Sequence, residues 1–458
     1  MTRARVLLLL AAWLLPAQSL AAGDASRAMT LSEALAFARS HQPAVRAALA
    51  RIEAQAQQAR IPSAQWYPQI AASAQLFAAT AHNTTGTYVS APSIDIPRIG
   101  ATRATDSGSW RPEPSTLVAL GVKQELFDFG RIAAQTAALD AFTDVERQRA
   151  RAVALDVRFN VEEAYFAVFA AKAVLKASED AYDRSLAHRE LARAGVTSGM
   201  RSPIEQTRAD ADLANFDIGR IRAQGGLVQA QTVFAASVGV SDPLLDVSNA
   251  PPTPADLPNL SEAIQRAESR DPRLAEALAQ LRAAEQAARA IGSEGRPNLS
   301  LTATLSGRAG AAQPSGTGSN PDGGGFVPRV ANWDVGAVLS WPLFDGTLSA
   351  RTEAARAVVR VRREEIGFVR ERERAAIREA YAAVEVARTV IPSLRRAADA
   401  ARANYEQADA RFKAGLGTSV ELADAEGLRA AAEIQLALGE FSLARARAAF
   451  GRRIAEGS

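Results

Sequence analysis

The feature that most constrains this chain is that it repeats itself. LSEALAFARSHQPAVRAALARIEAQAQQAR, starting at Leu31, returns as LSEAIQRAESRDPRLAEALAQLRAAEQAAR, starting at Leu260. The register holds without a gap through YPQIAASAQL and RPNLSLTATL, pairing Pro68 with Pro297 and Leu76 with Leu305. LFDFG at 126–130 is echoed by LFDG at 343–346, and VEEAYFAV at 161–168 by IREAYAAV at 377–384. The offset of that last pair also carries Gly199 onto Gly415 and Glu205 onto Glu421. Self-similarity over so long a period means one supersecondary unit used twice. The copies are expected at 23–240 and 260–458, joined by a connector at 241–259 whose prolines exclude a long helix or a central strand.

Each copy has the same order of expected elements. An Ala-rich helix of about thirty residues comes first, ending just before the paired prolines. A short alternating strand follows. In QIAASAQL, Ile70, Ala72, Ala74 and Leu76 face one way, opposite Gln69, Ala71, Ser73 and Gln75; in NLSLTATLS, Leu299, Leu301, Ala303 and Leu305 oppose Ser300, Thr302 and Thr304. Alternation with small polar residues on one face is the pattern of a transmembrane barrel strand around a wet lumen. Loops rich in Gly, Ser, Thr and Pro are expected at about 79–114 and 309–330. The glycines of SGTGSNPDGGG lack the Gly-Lys-Ser/Thr of a phosphate loop, and the NTT at 83–85 reads as loop chemistry.

A second strand returns in each copy, with Val118, Leu120 and Val122, and Trp333, Val335, Ala337, Leu339 and Trp341, each sharing a face. Trp66, Tyr67, Phe127, Phe129, Trp341 and Phe344 gather near the strand ends, which suits an interfacial belt or a packed sandwich. After LFDFG and LFDG the period becomes helical, and from 131 to about 197 only Gly195 interrupts a run free of glycine and proline. Val157, Val161, Ala164 and Val168, and likewise Ile377, Ala380, Val384, Ala387 and Ile391, keep the alternating four-three spacing of helices packed lengthwise. Pro392 is expected to kink the second long helix or to mark a change of packing partner.

Composition narrows the classes. The net charge is only +3 over 458 residues, with acids and bases interspersed, so nucleic acid is not an expected partner. There is no cysteine, which excludes disulfides, thiol catalysis, Cys-bound metal and an N-terminal lipid anchor. His41, His82 and His188 lie far apart without ligand spacing and are expected in surface or packing roles. No nucleophile–base or metal constellation appears, so neither an enzyme nor a cofactor is expected. Residues 1–22, with Arg3 and Arg5 ahead of VLLLLAAWLLP and a small-residue site at Ala21 or Ala22, read as a cleaved export signal.

No later segment is apolar enough to span a membrane as a helix, so a membrane-spanning form would have to be a closed β-barrel. Four strands cannot close one, which requires copies of the same chain. Eight strands would be filled by side chains and twelve could hold a lumen; the small polar face favours twelve. A periplasmic coiled-coil adaptor or scaffold is the alternative.

The export signal, the duplicated LSEA helices, the four strands, the LFD(F)G junctions and the paired G…S/T..E turns together resemble the TolC-like outer-membrane efflux proteins. The resemblance implies a mainly α-helical fold with a transmembrane β-barrel: a homotrimer with a twelve-strand barrel in outer-membrane lipid and a twelve-helix barrel extending into the periplasm. It implies a passive exit duct for a tripartite efflux pump or type I secretion, docking a periplasmic adaptor and an inner-membrane transporter driven by protons or ATP. Phe127, Asp128 and Gly130, with Phe344, Asp345 and Gly346, then read as the junctions where membrane strand becomes helix.

The turns SGMRSPIEQ and AGLGTSVEL are where mechanism should concentrate. Gly199 and Gly415 suit helix ends, and Ser202 with Glu205, and Thr418 with Glu421, fit a capping box. The resemblance makes Asp424 and Glu421 the acidic ring of the periplasmic gate and Glu205 part of its latch, with Gly199, Ser202, Gly415 and Thr418 at the adaptor-docking turns. The Arg and Tyr positions of the family's latch fall on Gly417 and Phe412 here, leaving Arg208, Arg411 or Lys413 as candidate substitutes.

Overall fold

A computed structural model of the chain describes residues 28–80, 112–241, 245–248, 257–310 and 332–455. The export signal, His82, the NTT sequence, most of the expected loops and much of the connector lie outside the described residues.

Each copy begins with two helices where one was expected. They are α1 (Leu31–His41) and α2 (Pro43–Gln58) in the first copy and, in the second, α5 (Leu260–Arg270) and α6 (Pro272–Ser293). The break falls on Gln42 and Asp271, both extended (ψ 122° and 117°), each ahead of a proline that opens the next helix. A residue before proline is pushed out of the α region, while proline at a helix's first position sacrifices no hydrogen bond. Asp271 also caps α6, its Oδ1 accepting from the Arg273 amide at 2.9 Å.

The strands β2 (Gln69–Thr80), β3 (Pro112–Phe127), β5 (Asn298–Gly310) and β6 (Asn332–Ser340) form one antiparallel sheet in the order β2-β3-β5-β6. Register sorts the two faces. Ile70 lies opposite Val122, which lies opposite Ala303, and that opposite Val335; the next row in phase is Ala72, Leu120, Leu305 and Trp333. Between them runs Ala71, Gly121, Thr304 and Asp334. One face is therefore apolar and its large residues exposed, while Ser300 and Thr304 on the other are buried. Among the described residues the outer edges of β2 and β6 pair with nothing.

The strands give way to α3 (Arg131–Thr197) and α7 (Gly346–Lys413), of 67 and 68 residues, each returning through a turn into α4 (Pro203–Val238) or α8 (Ser419–Arg453). At about 1.5 Å per residue each long helix measures about 100 Å. The four-three stripe is buried as expected at Val157, Val161, Ala164 and Val168, and at Ile377, Val384 and Ile391. Pro392 lies within α7 without ending it. No helix among the described residues is long and apolar enough to cross a membrane.

The junctions differ by one residue. In LFDFG, Phe129 (φ 52°) and Gly130 (φ 86°) are both left-handed, and the Arg296 guanidinium donates to the Phe129 carbonyl at 2.8 Å. The buried Asp128 accepts from the Gly130 amide at 3.0 Å and also from that of Ile132, capping α3. In LFDG, Asp345 caps α7 from the amides of Thr347 and Leu348 (2.8 and 3.1 Å), and Gly346 simply opens the helix.

The chain divides into two compact units, each drawing on both copies. One holds the sheet together with 39–159, 255–388 and 446–458; the other holds 160–254 and 389–445 with the first described residues. In the second unit a parallel pair, β1 (Ala28–Met29) with β4 (Asp246–Val247), fastens the connector, and Lys172 pairs with Asp246 at 2.6 Å.

Candidate functional site: the paired helix-hairpin turns

Both turns are built by a left-handed glycine. Gly199 (φ 74°) and Gly415 (φ 75°) reverse the chain just past α3 and α7, with the amides of Met200 and Leu416 closing onto the carbonyls of Gly195 and Arg411 (both 2.9 Å). A side chain at either glycine would force an L residue into a conformation it rarely adopts.

Beyond the glycines the copies part. Thr418 caps α8, its Oγ1 accepting from the Glu421 amide at 3.2 Å. The capping box expected at Ser202 does not form: Ser202 makes no side-chain cap, and Glu205 turns instead to Arg201, 2.7 Å away. Arg201 is the reason. Its guanidinium lies 3.7 Å over the centre of the Phe412 ring, and Nη2 donates to the Phe412 carbonyl at 3.0 Å. The stem crosses Gly195, where an added Cβ would sit only 2.6 Å from the Arg201 Cδ. Phe412, buried to 1% exposure, meets the His188 ring nearly at right angles with centroids 4.8 Å apart, and His188 Nε2 shares a hydrogen with Ser419 Oγ at 3.3 Å. One buried phenylalanine from the second copy is thereby held by an arginine and a histidine from the first.

Of the candidate substitutes for the latch, Lys413 pairs with Asp409 on its own helix at 2.7 Å, and Arg411 lies 3.8 Å from Glu421. Asp424 and Glu421 are both exposed, one helical turn apart, and Glu205 is half-buried.

One turn deeper, the buried Glu426 accepts two hydrogen bonds from Arg184 Nε, at 3.0 and 2.8 Å. Burial raises the Glu426 pKa above the usual carboxylate value while Arg184 pulls it down. Tyr405 lies between two guanidinium groups, Arg184 and Arg429, at 5.6 and 5.1 Å. Arg201, His188 and Glu426 were not expected as site residues. For Arg201 the signal available was departure from the repeat: the offset that carries Gly199 onto Gly415 puts Arg201 on Gly417 and Gly195 on Arg411, whereas Glu426 falls on another acid, Asp210. The two copies hold an arginine and a glycine in opposite order.

A sheet apolar on one face and two long helical hairpins from a duplicated chain define the class, and comparison with known proteins places it. The family model described as outer membrane efflux protein matches residues 34–240 and 263–452, and the chain belongs to that family. Its solved relatives in fold are outer-membrane channels. OprN is 22% identical, the match covering 93% of this chain and 90% of that one with a TM-score of 0.68. CmeC of Campylobacter jejuni is 16% identical over 93% and 85%, with a TM-score of 0.71. MtrE of Neisseria gonorrhoeae, solved in an open state, is 20% identical over 93% and 89%, with a TM-score of 0.69. No curated protein sequence matches the chain. The fold is thus the mainly helical one with a β-sheet domain shared by these channels, and the family is one of outer-membrane efflux proteins rather than of enzymes.

Proposed function

We propose that the chain is the outer-membrane exit duct of a tripartite efflux pump or a type I secretion system, working as a homotrimer. The observation that carries this reading is the four-stranded sheet, apolar on one face, small and polar on the other, with both outer edges unpaired among the described residues. In lipid an unpaired edge is not tolerated, so β6 of one protomer pairs with β2 of the next until the ring closes at twelve strands. The repeats at 23–240 and 260–458, the connector at 241–259 and an export signal at 1–22 belong to the same reading. Phe127 and Phe344, both exposed, sit at the lipid headgroups where strand becomes helix.

The periplasmic gate is the ring of Asp424 and Glu421 from three protomers, which draws cations and repels anions. Its latch is Arg201 on Phe412, with Glu205 holding the guanidinium in place. The adaptor docks on the turns Gly199–Ser202 and Gly415–Thr418. There Met200 and Ile204 (80% and 72% exposed) match Leu416 and Val420, so the duplication offers the same pair of exposed apolar side chains twice. The inner-membrane transporter chooses the substrate. Purified protein reconstituted in planar bilayers tests the reading. Single channels that a trivalent cation blocks from the periplasmic side, and heat-modifiable trimers on gels, are expected; a soluble monomer without conductance would overturn it.

A further inference from the structure

His188 is buried at 7% exposure, and every element packed on it brings a charge or a dipole. From α4 come Asp212 and Glu205, from the turn Arg201, from α7 Asp409, and from α8 the Ser419 hydroxyl. On its own helix it shares a small cavity with Arg184 and Ser185, which Tyr405 and Glu426 help to wall. Three buried polar atoms on that cavity have no hydrogen-bond partner: Arg184 Nη2, Ser185 Oγ and Asp212 Oδ2. Polar atoms left unmatched in a polar pocket mark either a bound water or a group that acquires its partner in another state.

We propose that His188 is a proton-operated release for the joint between the two helix hairpins. Neutral, it packs its ring against Phe412 at nearly a right angle and hydrogen-bonds Ser419. Protonated, it becomes a second cation on a ring already covered by Arg201, while Asp212 offers an unmatched carboxylate oxygen in the shared cavity. The imidazolium moves to Asp212, Phe412 loses its edge contact, and the second hairpin slackens against the first. That this slackening opens a channel rests on the gating reading above; the release itself does not.

The direction of the pH effect follows from the surroundings. Burial lowers the His188 pKa below its ordinary 6.5, Asp212 opposes this, and Arg201 reinforces it. A histidine that packs more readily when neutral keeps the joint whole above 6.5 and loses it as pH falls from there through the lowered value. Glu426 works in the opposite sense. Its pKa is raised by burial, so the packed state binds that proton more readily and gains, relative to neutral pH, as pH falls toward 4.5.

The chain has no cysteine, so spin labels can be placed cleanly at Met200→Cys and Leu416→Cys in the full-length protein, diluted among unlabelled protomers. Between about pH 7.5 and pH 5.5 the label-to-label distance distribution should broaden by about twofold or more. His188→Phe, neutral at every pH and still aromatic, should abolish the response, and Glu426→Gln should enlarge it. An unchanged distribution, or an equal response in His188→Phe, would overturn the proposal. So would a response abolished by Glu426→Gln and kept in His188→Phe. Conductance of the same labelled protein at about pH 5.5, where the joint is released, is scored separately: labels that respond on a chain that carries no ions there refute the channel and leave the release standing.

Discussion

Arg201 and Phe412 meet twice, guanidinium over ring at 3.7 Å and Nη2 to the carbonyl oxygen at 3.0 Å, so one side chain grips both the side chain and the backbone of the other. Neither contact involves two charges. Salt screens such a grip less than it screens an exposed ion pair.

Arg201→Gln removes the cation over the ring and leaves Glu205 unpaired. The two contacts are worth about 1–2 kcal/mol together, so open-channel occupancy in bilayers should rise by about tenfold. Arg201→Lys keeps the charge but loses the flat fork, and should fall between wild type and Arg201→Gln. Equal occupancy in all three would remove Arg201 from the latch.

Gly195→Ala sets two effects against each other. Alanine favours helix over glycine by about 1 kcal/mol, yet its Cβ meets the Arg201 stem and lifts it from Phe412. The two effects nearly cancel, so the variant should melt within about 1 kcal/mol of wild type while conducting like Arg201→Gln. In the double variant Gly195→Ala, Arg201→Gln the conductance should be no higher than in Arg201→Gln alone, the signature of two residues sharing one contact.

Asp424 and Thr418 separate gate from scaffold. Asp424→Ala should abolish most of the block by multivalent cations and leave thermal stability within about 0.5 kcal/mol, as befits an exposed carboxylate. Thr418→Ala should cost about 1 kcal/mol through the lost cap on α8 and leave the block unchanged. A cation block untouched by Asp424→Ala would move the selective ring elsewhere.

Glu426 is 3% exposed, and Arg184 depends on it. Glu426→Ala strands a half-buried guanidinium and should destabilise the protein by about 3 kcal/mol, measured as a fall in its melting temperature. A leucine at the same site, combined with Arg184→Met, should recover much of that loss, since an apolar pair of similar volume carries no desolvation cost.

What the sequence could disclose, and what it could not, divides along the range of the interaction. Period-two alternation placed the four strands within a few residues, because each side chain's face depends only on its immediate neighbours. Asp128 and Asp345 were legible as helix starts for the same reason. The proline breaks at Gln42 and Asp271 were missed because apolar periodicity ran through them, although the local rule for residues before proline was sufficient. The Arg201–Phe412 contact lies in another category. Arg201 and Phe412 are 211 positions apart in sequence, and nothing around either one announces the other. Glu426 lies two positions past Asp424 on the same helix; residue type cannot say that one faces water and the other Arg184. Only the mismatch between copies pointed to Arg201.

That mismatch bears on how the duplicated chain can change over time. At Gly417 an added Cβ would come within 3.1 Å of the Phe412 backbone nitrogen, so an arginine cannot be accommodated there without displacing that backbone. A chain with two first-copy hairpins would lack Phe412; one with two second-copy hairpins would have no arginine to lay over it. The two hairpins are no longer interchangeable, and each supplies what the other lacks.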